Sequence, residues 1–424
     1  MRTCWRCGRL SSLLGLTGLL AVGCSSELEV KGDVQRLIGE RVTVALLEGD
    51  EVFSGQVELK DARNTVLKTP ELLVRQEDDR TVSFAIPPTT AAGPATAKMQ
   101  KKGSEATYDV GLTISRAAVA LSDKGVVEAL PLPPSTLKPA TVTAGQTGQS
   151  LALTPGGDLL ITLASDDVVF WSMKKTPTNV ASFKLTDTRC IAALPSGVIV
   201  GTSTSIQLFY FELGKATITG PSLTTTETVA LGVSRDGKRA IALTHCDTTG
   251  NKLPDSDCLV DIDLAATPPV EVQTVVLDNE QSATLLAIRD DGKGAVVADK
   301  GTIYGVTFKT NPAKVSTISW PGAKPVSIAS RLTMIEDHPN DLFAVADSTS
   351  KTIRMIGFKG TTLQDVSQTT LDVPPTLIGF GRQTDLFVAS GTKLLKIDAS
   401  QDPPAVTRLS QQLSSRPIAF VVQP

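Results

Sequence analysis

The chain carries two imidazoles, His245 and His338, in 424 residues. Two cannot supply a three-imidazole zinc set, and they leave few routes to a hydrolytic base. His245 opens the densest polar run of the sequence, His245-Cys246-Asp247-Thr248-Thr249-Gly250-Asn251-Lys252-Leu253-Pro254-Asp255-Ser256-Asp257-Cys258. Asp247, Asn251, Asp255 and Asp257 in it offer oxygen ligands and hydrogen-bond acceptors. A calcium loop needs such oxygens at fixed intervals, and the EF-hand spacing is absent. The run therefore reads as a turn-rich hairpin tip and a candidate contact loop, with no metal assigned. His338, in Glu336-Asp337-His338-Pro339-Asn340-Asp341, reads as a turn residue. There is no Gly-x-Ser-x-Gly, no Gly-rich phosphate loop followed by Lys-Ser/Thr, and no Cys/His couple of workable spacing. No catalytic residue and no cofactor is assigned.

Six cysteines are present. Cys246 and Cys258 flank the polar run and are expected to close its neck as a disulfide if the chain is exported. A loop of that size closed covalently is worth about 3 kcal/mol in the chain-entropy account. Cys190 opens the apolar run Cys190-Ile191-Ala192-Ala193-Leu194 and reads as a buried free thiol.

Export is signalled at the amino terminus. Arg2, Arg6 and Arg9 stand in a stretch without acids, and the apolar run 10–23 follows. That run is too short to cross a hydrocarbon core of ~30 Å comfortably. A basic start, a short apolar middle and a small residue at the junction are the parts of a secretory signal. The junction Leu20-Ala21-Val22-Gly23-Cys24 resembles the lipobox of bacterial lipoproteins, with Ala21 where Leu is usual. The resemblance implies removal of residues 1–23, acylation of Cys24 and a membrane association made by lipid. Ser25 rather than Asp after the Cys implies the outer membrane. Residues 24–31 then read as a short tether, and Cys4 and Cys7 leave with the signal.

The remaining composition is that of a folded protein. Hydrophobic residues make up 41% and charged ones 20%, and 41 basic against 44 acidic side chains give a net charge of −3. No basic block is present, which argues against a nucleic-acid footprint. Aromatic residues are 4%, too few to favour a stacking face for sugars or bases.

Residues 32–115 read as short strands with turns. Val42-Thr43-Val44-Ala45-Leu46, Val82-Ser83-Phe84-Ala85-Ile86 and Ala95-Thr96-Ala97-Lys98-Met99 alternate or carry β-branched residues. The segment Val82 to Met99, with Ile86-Pro87-Pro88 and then Ala92-Gly93, resembles the IPT/TIG family of immunoglobulin-like domains. The resemblance implies a small antiparallel sandwich.

Residues 116–424 repeat themselves: an apolar strand, a Gly/Asp turn, a second apolar strand, a short polar turn and a third strand. Leu151, Ile191, Leu231, Leu285, Ile328, Leu377 and Ile418 open the units, in steps of 40, 40, 54, 43, 49 and 41. Such periods suit four-stranded propeller blades, and the long unit holds the Cys246–Cys258 excursion. The seventh unit lacks its other strands after Ile418. They stand upstream instead, as Ala118 to Leu121 and Val126 to Leu130. The expected architecture is all-β: an immunoglobulin-like sandwich, then a seven-bladed β-propeller closed by the carboxyl-terminal strand. It resembles the broad YVTN- or lactonase-like propeller class. The expected role is a monomeric, lipid-anchored scaffold that binds an envelope protein or surface polymer through its loop face. The competing expectation is an exported hydrolase of lactonase or esterase type, with a divalent metal in the channel.

Overall fold

The structure is a computed structural model. It describes residues 26–27, 29–30, 35–45, 55–78, 81–87, 90–100, 107–133, 135, 137–145, 147–164, 166–173, 176–211, 218–247, 255–277, 282–331, 342–381, 385–400 and 403–423. Cys24, Asn251 and His338 lie outside them. The described chain is all-β, with one 3-10 turn at Pro70–Leu72.

Period-two alternation builds the leading module. Gly93–Gln100 buries every second residue and pairs antiparallel with Thr107–Ser115 and Glu58–Lys60. Arg41–Ala45 alternates likewise and pairs with Thr81–Ala85. One face of each sheet is apolar, so the two sheets close over one core that includes Val42, Val82, Phe84, Leu59, Met99 and Leu112. The expected tether is corrected here. Ser26–Glu27 pairs with Thr107–Ser115, and Glu29–Val30 pairs with Arg41–Ala45. The sheet edges supply hydrogen-bond partners to this backbone, so Ser26–Glu27 and Glu29–Val30 belong to the module.

Among the described residues from Ala117 onward the strands form seven four-stranded antiparallel sheets. In six of them the chain moves outward strand by strand, as in Gly148–Leu153, Leu159–Ala164, Asp167–Ser172 and Thr178–Lys184. The last sheet joins both ends of this region. Pro417–Val422 pairs with Ala117–Ser122, with Ala118 opposite Val422 and Ala120 opposite Phe420. Val126–Pro131 and Ala140–Thr143 follow outward. The innermost strands touch in succession, and Pro417–Val422 touches Gly148–Leu153, which closes the circle. This is the arrangement of a β-propeller.

Second strands such as Gly197–Thr202 and Gly294–Asp299 are buried at every residue, because each sheet is covered on both faces by its neighbours. The turns from innermost to second strand need left-handed backbone at Gly237 and Gly292, with φ of 71° and 67°. The leading module docks on this turn side of the ring. Gln423 is fully buried there. Its side-chain amide donates to the carbonyls of Ile38 (3.0 Å) and Gly157 (2.7 Å), and its oxygen accepts from the Ala117 amide (2.9 Å).

Candidate functional site

An up-and-down sheet puts its turns on two opposite faces. One face holds the turns after the innermost strands, where the leading module sits. The other holds the connections between sheets and the turns from second to third strand. The polar hairpin lies on this second face, as an extension of Arg239–Cys246 and Ser256–Asp263.

The neck of the hairpin is closed by a disulfide between Cys246 and Cys258, with their Cα atoms 5.8 Å apart. Thr244 stands opposite Cys258 and Cys246 opposite Ser256, so the bond runs diagonally across the ladder. The Asp255 amide donates to the Cys246 carbonyl at 2.8 Å, and Asp247 and Asp255 are half-buried at the neck. Asp257 departs from its expected place on the contact loop. It is fully buried: Oδ1 lies 2.8 Å from His245 Nδ1, and Oδ2 accepts from the Ala283 amide at 2.9 Å. A carboxylate with no water contact is retained only when such donors surround it. Asp257 thus fastens the hairpin to the connection that enters the next sheet, and only the remainder of the run is available for contact.

A related device, which the sequence reading did not single out, stands at the ends of two second strands rather than at the start of a third, and ties Asp299 and Asp347 to the connections that enter their own sheets. Asp299 accepts from Ser282 Oγ (2.7 Å) and the Lys300 amide (2.6 Å). Asp347 accepts from the amides of Lys324 (2.8 Å), Ser350 (2.8 Å) and Thr349 (3.2 Å). Burial pushes the Asp347 carboxyl up, but a hydrogen bond from the Ser350 hydroxyl, together with these amides, outweighs it and holds the pKa below the ordinary value. The signal was present as an Asp ending two of the apolar second strands, Ala295-Val296-Val297-Ala298-Asp299 and Phe343-Ala344-Val345-Ala346-Asp347.

The channel enclosed by the innermost strands measures about 320 Å³. Leu151, Ile191, Leu231, Leu286, Ile328 and Phe420 contribute to a largely apolar wall, and Arg235 is the one charged residue among the described residues that line it. No group of three His, Cys, Asp or Glu residues converges among the described residues. The wall therefore does not fit a divalent cation, which needs several oxygen or nitrogen donors. Cys190 stands beside the channel wall as a buried free thiol, and burial pushes its pKa up to about 12.

No protein-family profile matches the chain, and no curated protein matches it significantly. Solved structures do resemble it. A protein of unknown function from Desulfotomaculum acetoxidans is 14% identical, with a TM-score of 0.52, covering 72% of this chain and 98% of that one. AztD from Citrobacter koseri is 12% identical, with a TM-score of 0.52 and coverages of 73% and 97%. A 6-phosphogluconolactonase-like protein from Bacteroides fragilis is 12% identical, with a TM-score of 0.50 and coverages of 73% and 98%. At such identities the likeness establishes the β-propeller fold and nothing finer.

Proposed function

We propose that the chain is an outer-membrane lipoprotein acylated on Cys24. In this reading an immunoglobulin-like sandwich of IPT/TIG type carries a seven-bladed β-propeller. The propeller binds an envelope protein or surface polymer without catalysis, through the face that holds the stapled hairpin. The observation that carries the reading is the placement of the leading module. It joins the ring at Gln423 and Gly157, on the face opposite the hairpin. Among the described residues the leading module leaves the hairpin face uncovered, the Cys246–Cys258 bond closes the neck of the polar run there, and a braced loop loses little entropy on binding. The likeness to a 6-phosphogluconolactonase-like fold does not carry hydrolysis to this chain, because among the described residues the channel wall offers Arg235, two hydroxyls and apolar side chains rather than converging carboxylates.

Two measurements test the proposal. Radiolabelled palmitate is expected to mark the chain in growing cells, and Cys24→Ser is expected to abolish the label. Immobilised full-length chain is expected to retain an envelope component that is lost when residues 248–254 are replaced by Gly-Ser. Unlabelled wild-type chain, or retention independent of those residues, refutes the corresponding half.

A further inference from the structure

We infer that the hairpin face carries a larger contact site, a groove between the sixth and seventh sheets that takes an acidic, aliphatic peptide segment of a partner protein. The inference rests on the binding role proposed above and names where and what that face binds. The groove measures about 710 Å³, against about 320 Å³ for the channel. It runs from the turn Ser122–Val126 of the seventh sheet to the connection Ser414–Ile418 that enters the same sheet, with Thr376 and Leu377 as its other wall.

Charge chooses the ligand. Lys124 and Arg416 both line the groove and are exposed, and neither has a hydrogen-bond or ion-pair partner among the described residues. Among the described residues that line the groove, Asp123 is the one carboxylate against two cations, a net positive charge. Leu377, Pro417 and Ile418 form its apolar part, and Ile418 is 39% exposed. Among the described residues that line the groove there is no aromatic ring, so these offer no stacking platform to a sugar. Carboxylates beside aliphatic side chains match what is left, which is the composition of an acidic peptide strand.

The groove is built before any ligand arrives. The Ser414 amide and hydroxyl both donate to the buried Glu128 carboxylate, at 2.7 and 2.8 Å. The Gly148 amide donates to the Asp123 carbonyl at 3.0 Å. The turn and the connection are thereby fixed to the strands beside them, which lowers the ordering cost of binding.

The test uses full-length chain in detergent and a fluorescent peptide of alternating Glu and Leu, read by anisotropy. Wild type is expected to bind it at least about tenfold more tightly than the Gln-for-Glu counterpart, and more weakly as salt rises. Lys124→Glu with Arg416→Glu is expected to remove that preference, whereas Asp123→Asn tightens binding a few-fold. Lys309→Glu, an exposed change on the opposite face, serves as the control, and equal unfolding midpoints show that the variants fold. Equal affinity for the Glu and Gln peptides overturns the proposal. So does a charge-reversed double variant that binds like wild type. Polygalacturonate that binds the groove more tightly than the peptide overturns it in favour of a surface polymer. Retention of an envelope component through residues 248–254, without any peptide preference, removes the groove and leaves the binding role standing.

Discussion

Buried carboxylates are the most informative single residues in this molecule, because each is defined by its donors. Removing the Asp257 side chain would leave the Ala283 amide and His245 without their acceptor. Asp257→Ala is expected to cost about 1–3 kcal/mol, measurable as a lower urea midpoint. Asp347 makes a pH prediction. Its folded pKa lies below the ordinary 3.8, so the stability it supplies is complete above that value and is lost as pH falls through the folded pKa. Asp347→Asn should therefore destabilise at pH 7, and the gap to wild type should narrow towards pH 3. Unfolding curves at both pH values decide it; a constant gap contradicts the assignment. Cys190 supplies a silent case. With its pKa pushed to about 12, the thiol should resist a water-soluble disulfide reagent at pH 8 until the chain unfolds.

Elements differ in how much of themselves they write into the sequence. The buried second strands were legible as unbroken apolar runs, for instance Val198-Ile199-Val200 and Ala295 to Ala298. The outermost strands were not. Thr178–Lys184 and Val270–Val276 are mostly exposed or half-buried and mix polar residues with valines, so no sharp pattern separates them from loops. The same blindness turned Ser26–Glu27 and Glu29–Val30 into a tether, since two-residue edge strands have no periodicity to read. At the hairpin, the cysteine spacing foretold a staple, and the polar composition suggested that every Asp faced solvent. Composition does not distinguish an Asp at a loop tip from one under its neck, and Asp257 is the second kind. The groove of Lys124 and Arg416 was invisible because its walls lie nearly three hundred positions apart. Cys246→Ser with Cys258→Ser should lower stability by about 3 kcal/mol in the chain-entropy account. The comparison of oxidised and reduced wild type in urea should agree with it.

Over the whole molecule, three bodies of structure meet on Gln423: the leading module at Ile38, the first sheet at Gly157 and the last sheet at Ala117. Gln423→Ala strips all three contacts at a buried junction and is expected to cost about 2–3 kcal/mol. Limited proteolysis should then release the leading module faster than from wild type, and equal rates would show that the junction is held elsewhere. The same residue sets a timetable. Ala117 is made 306 positions before the side chain it hydrogen-bonds. At a synthesis rate of about 5–20 residues per second, that is a delay of roughly 15–60 s. Through that interval the strand Ala117–Ser122 exposes an apolar edge with no strand to cover it. The ring therefore cannot close until the last residues are made, and the edge of Ala117–Ser122 is open to pairing with other chains until then.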